Sequence, residues 1–150
     1  MLADRALPED LTARLQALVK RWAGDSDLAA VYLFGSRARG TAGPRSDVDL
    51  AVTLDSGVDD GDRFRKRLAL IGEATAALGT DAVDVVLLED APSSLGHRII
   101  AAGKLLIDKH PRRRAAVAEQ ILRRYLDEEP IRRELDRQLS LRLREGRFAR

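Results

Sequence analysis

The sequence predicts an α/β (α+β) domain with a mixed sheet of about four strands and flanking helices. Three short apolar stretches rich in strand-forming residues, 28–34, 48–54 and 83–88, are separated by polar or glycine-containing segments. Around them, apolar residues recur every three or four positions, as they do in amphipathic helices. The chain has 150 residues, 45% of them apolar, so we expect one compact core.

The first half of the chain is predicted to hold one long helix and two strands. Apolar residues at helical spacing run from Leu11 to Trp22, with Asp10 as the N-cap and Gly24 as the end. Trp22 is expected in the core. The strand 28–34 leads into the segment 35–46, whose three glycines and one proline predict a loop, or a loop leading into a short turn. The strand 48–54 follows.

The second half alternates helices with two further strands. The first of these helices is predicted to pack through four apolar residues: Phe64, Leu68, Ile71 and Leu78. The strand 83–88, a helix from Ser93 to Gly103 and a short strand over 104–107 come next. Two helices, 115–126 and 131–144, close the chain, with Pro130 suited to a first helical position. We divide this single domain into a core, 1–110, and a C-terminal helical extension, 111–150.

Composition excludes several kinds of site. The chain has no cysteine, which rules out disulfides, thiolate nucleophiles and cysteine-ligated zinc. Its two histidines, His97 and His110, lie outside ligand spacing and are expected at the surface. A bound metal would therefore be held by carboxylates. No apolar stretch approaches the ~18 residues that span a bilayer, and the sequence predicts a cytoplasmic protein with no membrane contact.

Charge is divided unevenly along the chain. Residues 1–103 contain 12 basic and 16 acidic side chains, whereas residues 104–150 contain 14 basic and 8 acidic ones. The basic tail indicates either an arm that meets nucleic acid or an acidic partner, or a helix with solvated arginines on its outer face. The run 112–114 of three arginines leaves the same choice, and its place at a helix start, unfavourable for the helix dipole, favours a partner contact. Tyr125 is expected to pack between helices rather than to be modified.

The segment from Gly35 to Asp49 carries the pattern most indicative of chemistry. Gly35 and Ser36 end one strand, and Asp47 and Asp49 begin the next after a spacer of ten residues. Carboxylates two positions apart on a strand point to the same side, about 6.5–7 Å apart. They resist joint ionisation unless a cation lies near them, and oxygen ligands favour Mg²⁺, with Mn²⁺ as the alternative. The Gly-Ser turn can offer N–H groups and a hydroxyl to phosphate oxygens.

A third acid, Asp84, interrupts the otherwise apolar strand 83–88. If this strand lies beside 48–54, three carboxylates could share two metal ions, as in-line displacement at phosphorus requires. The alternative is an acid on an edge strand that faces water. The joint pattern predicts a site for a metal–nucleoside triphosphate.

These residues resemble the pattern of the DNA polymerase β-like nucleotidyltransferase superfamily: Gly-Ser, a spacer, Asp-x-Asp and a later strand acid. The string GSRARGTAGPRSDVDL is most similar to the minimal nucleotidyltransferases, the antitoxins of HEPT/MNT toxin–antitoxin pairs. The resemblance implies that Asp47, Asp49 and Asp84 hold two Mg²⁺ ions and that Asp84 also helps to deprotonate the attacking hydroxyl. It implies that Gly35 and Ser36 bind the triphosphate.

Arg39 is expected to contact phosphate as well, because arginine matches phosphate geometry, although Arg37 and Arg45 are equally suited by composition. The resemblance further implies transfer of AMP from ATP to a tyrosine of a cognate HEPT-type RNase toxin, in a hetero-oligomer with that toxin. It favours a protein partner over direct nucleic-acid binding. Two alternatives stay open: a nucleotidyltransferase for small molecules of the aminoglycoside kind, and a non-catalytic antitoxin that acts by occlusion.

Overall fold

A four-stranded mixed sheet forms the centre of the protein. A computed structural model describes residues 9–43 and 46–146. The strand order is β3-β2-β1-β4, with β1 antiparallel to β2 and β4, and β2 parallel to β3. The strands are β1 (Leu28–Phe34), β2 (Val48–Leu54), β3 (Val83–Leu87) and β4 (Lys104–Asp108). This arrangement confirms the predicted mixed sheet.

Six α-helices connect and flank the strands in the described residues. They are α1 (Leu11–Ala23), α2 (Ser36–Arg39), α3 (Asp60–Leu78), α4 (Ser93–Ala102), α5 (Pro111–Asp127) and α6 (Glu129–Arg144). Leu88, predicted to end the third strand, instead begins a 3₁₀ turn, Leu88–Asp90. The single turn of α2 lies inside the segment that the sequence predicts as a loop.

The sheet separates two layers of helices, each with its own apolar cluster. On one face, α1 and α3 pack on side chains such as Val31, Leu50 and Val85. On the other face, α4 and α5 cover a smaller cluster that includes Ala51 and Ile121. The alternation of strand side chains therefore sends Leu50 to the α1/α3 layer and its neighbours, residues 49 and 51, to the α4/α5 layer.

Trp22 lies in the core, as predicted. It is 1% exposed, and its indole Nε1–H donates to Glu73 Oε2 at 2.8 Å. Asp10 occupies the N-cap position of α1, as predicted, but its side chain makes no capping hydrogen bond. Its carboxylate accepts a hydrogen bond from Arg14 Nε at 2.9 Å instead.

The buried face of α3 matches the predicted one only in part, because Leu78 is buried and Ile71 packs against the core cluster as predicted, while the other two residues do not. Phe64 and Leu68 are 68% and 51% exposed, whereas Leu70, Ala74 and Leu78 are buried. Phe64 and Leu68 recur at helical spacing as core residues do, so the apolar pattern alone does not separate them from the residues that are covered.

This correction can be tested by stability. Leu70→Ala is expected to lower the free energy of unfolding by about 2–5 kcal/mol, because it leaves a cavity in a closed core. Leu68→Ala, with the same change in chemistry on the exposed face, is expected to change it by less than about 1 kcal/mol. Urea denaturation of both variants measures the difference. Equal losses of unfolding free energy would show that Leu68 also packs in the core.

Two members of the arginine run at the start of α5 make intramolecular hydrogen bonds. Arg113 Nε donates to the carbonyl oxygen of Leu54 at 3.1 Å. Arg114 Nε donates to Asp108 at 2.9 Å. These two guanidinium groups connect α5 to the ends of β2 and β4, and the contact of the arginine run with a partner stays a prediction.

The last helix projects from the core. None of the residues of α6 is buried, and Ile131 and Leu135 are 62% and 63% exposed. Across residues 9–43 and 46–146, no helix combines the length and the apolar content that crossing a bilayer needs.

Candidate active site

The predicted acids lie at one end of the sheet, where β1 ends and β2 and β3 begin. In the strand register, Asp49 pairs with Phe34 on one side and with Asp84 on the other. Adjacent strands are about 4.8 Å apart, so Asp84, Asp49 and the Gly35 turn after Phe34 stand side by side. The expected role of Asp84 depends on its strand lying beside β2. The parallel pairing of β2 with β3 confirms that position.

The Gly35 turn is shaped around the carboxylate of Asp49. Gly35 has a φ of +74°, a backbone conformation that favours glycine. A Cβ at this position would overlap the Asp49 carboxylate. The missing side chain thus lets the start of α2 approach Asp49, and the first N–H groups of α2, beginning at Ser36, have no partner within the helix.

The charges around Asp49 repel one another. Burial raises the pKa of Asp49, the carboxylates of Asp84 and Asp47 raise it further, and the guanidinium of Arg39 lowers it. Asp49 is therefore a half-buried acid between two other acids, an arrangement that a bound cation would stabilise.

Asp84 occupies the position of the alternative interpretation, an acid on an edge strand. Its side chain is 53% exposed on the edge strand β3, and it lies 3.6 Å from Nη2 of Arg67. Arg67 also donates from Nε to the carbonyl oxygen of Val85 at 2.8 Å. Arg67 could not be predicted from the sequence, because no local pattern on α3 places it near a strand that follows it in the chain.

The donor set fits Mg²⁺ in its chemistry, since it consists of carboxylate oxygens. In the described part of the chain, however, no three acidic, histidine or cysteine side chains converge closely enough to hold one metal ion. Asp84 turned towards Arg67 would have to rotate to join Asp47 and Asp49. The joint ligation of metal by these three residues stays a prediction.

The arginines of the spacer take different positions. Arg37 Nη2 donates to the carbonyl oxygen of Ser46 at 3.0 Å, so it braces the turn before β2. Arg39 acts electrostatically on Asp49 and lines the adjoining cavity. Arg45 lies outside the described residues. The structure thus favours Arg39 over Arg37 for a phosphate contact.

A cavity of about 350 Å³ opens beside the Gly35 turn. Phe34, Gly35 and Arg39 line one side, and residues of α4, including His97, line the other. His97 is not the isolated surface residue that the sequence predicts, because its ring stacks on Tyr125 with centroids 3.9 Å apart. Tyr125 packs between helices, as expected. His110, by contrast, is exposed.

Comparison with known proteins gives a family match and a similar curated protein. The family described as Polymerase beta, Nucleotidyltransferase matches residues 16–112, more than half of the chain. The chain is also similar to the protein adenylyltransferase MntA of Shewanella oneidensis, with 35% identity over 79 residues, 53% of each chain. It thus spans about half the length of that curated relative.

Solved structures extend the similarity to most of the chain. A crystal structure of a toxin–antitoxin with AMP-PNP is similar with a TM-score of 0.66 and 25% identity, over 85% of this chain and 97% of that chain. A tri-AMPylated Shewanella oneidensis HEPN toxin in complex with an MNT antitoxin gives a TM-score of 0.62 and 23% identity, over 87% and 98%. At 23% identity the second likeness concerns the fold alone.

Proposed function

Because the chain belongs to the polymerase beta nucleotidyltransferase family, we propose that it transfers AMP from ATP to a tyrosine hydroxyl of a cognate HEPT-type toxin and so acts as its antitoxin. The observation that carries this proposal is the placement of Gly35, Asp49 and Asp84 side by side at one end of the sheet. The similar adenylyltransferase MntA and the similar complex with AMP-PNP support the choice of AMP and ATP.

The proposed reaction is an in-line displacement at the α-phosphorus of ATP. The acceptor oxygen forms a bond to that phosphorus, and the bond to the β-phosphate oxygen breaks, releasing pyrophosphate. Asp84 helps to remove the proton of the attacking hydroxyl. Its exposure at the sheet edge leaves its carboxylate accessible to a hydroxyl brought by another molecule.

The aspartates are also the proposed holders of two Mg²⁺ ions, with Mn²⁺ as the alternative. Asp47 and Asp49 provide carboxylate oxygens from one side of β2, and Asp84 adds its own after leaving Arg67. When bound, the two ions supply charge stabilisation for the attacking and leaving oxygens. The raised pKa of Asp49, caused by burial and by its acidic neighbours, is the observation that supports a cation here.

Gly35, Ser36 and Arg39 are the proposed contacts of the triphosphate. The Gly35 turn brings backbone close to Asp49 without a side chain between them, and Ser36 begins α2, whose first N–H groups have no partner within the helix. Arg39 lies between Asp49 and the cavity. A triphosphate along this turn would place its α-phosphate near Asp49.

Arg39→Ala is expected to raise the KM for ATP about tenfold or more, because a charge-assisted hydrogen bond contributes about 1.5–3 kcal/mol. The matched control is Arg65→Ala, at a cavity formed with Asp59 and Asp62, which is expected to leave KM unchanged. Initial rates at varied ATP measure both. An unchanged KM for Arg39→Ala would remove Arg39 from the site.

A protein acceptor is supported by the C-terminal extension, residues 111–150. Leu126, Ile131, Leu135 and Leu143 on α5 and α6 are each more than half exposed, and exposed large apolar side chains are typical of contact surfaces for other proteins when they cluster. We propose that this extension, continuous with the core through α5, meets the toxin in a hetero-oligomer. Protein contact rather than direct nucleic-acid binding accounts best for an apolar surface.

Two other functions make different predictions. A small-molecule transferase of the aminoglycoside kind would modify aminoglycosides without a protein acceptor. An antitoxin that acts by occlusion would neutralise its toxin without the aspartates. The mutual repulsion at Asp49 argues against the second, because a binding protein gains nothing from keeping three acids together.

Label transfer from α-labelled ATP separates the three functions. The chain is incubated with Mg²⁺ and either the product of the adjacent gene or a panel of aminoglycosides. We expect label on the toxin, dependent on Asp47. Label on an aminoglycoside alone would favour the small-molecule enzyme, and toxin neutralised in cells by the Asp47→Ala, Asp49→Ala double variant would favour occlusion.

A further inference from the structure

His97 connects the cavity beside Gly35 to a three-membered stack of side chains. Its ring lies 3.9 Å from that of Tyr125, and the two planes differ by 4°. On Tyr125, the guanidinium carbon of Arg132 lies 3.6 Å from the ring centroid. The three residues come from α4, α5 and α6, so three helices contribute one layer each.

The helices that carry this stack are fastened to each other. Ser93, at the start of α4, donates a hydrogen bond to Glu128 between α5 and α6. Gly96 packs so closely on α5 that a Cβ there would lie 2.9 Å from Cγ2 of Ile121. The turn of α4 that leads into His97 is thus held against α5 and its end, and the His97 ring stacks on Tyr125.

A ring fixed in this way at a cavity wall is suited to a flat ligand. Stacking on an aromatic side chain recognises the face of a nucleobase, and the ordering of the ring before binding reduces the entropy lost on binding. The cavity also contains Arg39 and the Gly35 turn, so a nucleotide whose phosphates lie at that turn would direct its base towards α4.

We propose that His97 contacts the nucleobase of the bound nucleotide, with Tyr125 and Arg132 as positioning residues that hold its ring. This inference rests on the proposed function, because it takes the nucleotide to be the ligand of the site. It adds a base-recognition residue that the Gly-Ser and aspartate pattern does not contain.

Binding of two ligands separates contact with the base from contact with phosphate. AMP-PNP has a nucleobase and a triphosphate chain, whereas inorganic tripolyphosphate has only the chain. His97→Ala is expected to weaken AMP-PNP binding about tenfold or more, within the range measured for loss of one base–ring stack, and to leave tripolyphosphate binding unchanged. Calorimetric titration of the full chain in Mg²⁺ buffer measures both.

Matched variants distinguish stacking from a structural role. His110→Ala removes the other histidine, which is exposed, and is expected to change neither affinity. Tyr125→Phe keeps the stacked ring and is expected to bind AMP-PNP as the unaltered chain does, whereas Tyr125→Leu and Arg132→Ala are expected to weaken AMP-PNP alone. If His97→Ala does not fold, His97→Phe and His97→Leu replace it, and only the leucine variant is expected to lose affinity.

A failure of the inference about His97 can be distinguished from a failure of the proposed function. If the unaltered chain binds AMP-PNP but His97→Ala binds it equally well, or loses both ligands equally, the role of His97 is overturned while the proposed function stands. If the unaltered chain binds neither ligand, the proposed function and this inference are both overturned.

Discussion

Replacing Asp49 by Asn is expected to reduce AMP transfer roughly a thousandfold or more. Asp49 is the half-buried carboxylate between Asp47 and Asp84, and the amide has the same shape without the charge that would hold a cation. Loss of metal-assisted charge stabilisation removes several kcal/mol from the transition state, and each 1.36 kcal/mol is a factor of ten in rate. Single-turnover transfer of labelled AMP to the toxin measures the loss.

The fold of Asp49→Asn is expected to be at least as stable as that of the unaltered chain. Burial and two neighbouring carboxylates oppose ionisation of Asp49, so removing its charge relieves repulsion. Thermal unfolding checks this expectation. Asp55→Asn, just after the other end of β2, is the control and should keep full activity. Transfer by Asp49→Asn at the unaltered rate would contradict the assignment.

Gly35→Ala is expected to reduce transfer about a hundredfold or more, with the fold retained. The alanine Cβ would overlap the carboxylate of Asp49, so either the turn or the carboxylate must move. A displacement of about 1 Å among positioned groups costs on the order of a hundredfold in rate. Steady-state transfer kinetics measure the change, with circular dichroism to verify folding.

Gly40→Ala is the matched control for this substitution. Gly40 has a φ of +73°, almost the same as Gly35, but a Cβ there would meet nothing within 4 Å. Both variants place an alanine at a positive φ. At Gly40, whose ψ is 14°, the left-handed alanine costs about 1–2 kcal/mol. At Gly35, whose ψ is −157°, the backbone lies in a region almost restricted to glycine, and only this variant also disturbs Asp49. If the two variants lose equal activity, the loss in Gly35→Ala is due to backbone strain and not to the displacement of Asp49.

The strands and most helices could be predicted because their patterns are local. Apolar stretches bounded by glycine and polar residues mark β1, β2 and β3, and strand alternation places Asp47 and Asp49 on one side. The buried face of α3 could be predicted only in part, since exposed Phe64 and Leu68 have the same spacing as core residues. Only the packing partner determines which face is covered.

The helix residues that lie near the candidate site are brought there only by the tertiary structure. Arg67 reaches Asp84 from α3, and His97 reaches Tyr125 from α4. No spacing along the chain relates these pairs. The Gly-Ser and Asp-x-Asp pattern was predictable because both halves lie at the ends of adjacent strands, where a short connection brings them together. Functional residues drawn from helices later in the chain have no such local signature.

Intact-mass spectrometry of the purified toxin tests the central proposal most directly. The toxin is incubated with ATP and Mg²⁺ together with either the unaltered chain or Asp49→Asn. We expect the unaltered chain to add the mass of one or more AMP units to the toxin, at tyrosine, and Asp49→Asn to add none. A toxin of unchanged mass, or the same gain with Asp49→Asn, would contradict transfer by this site.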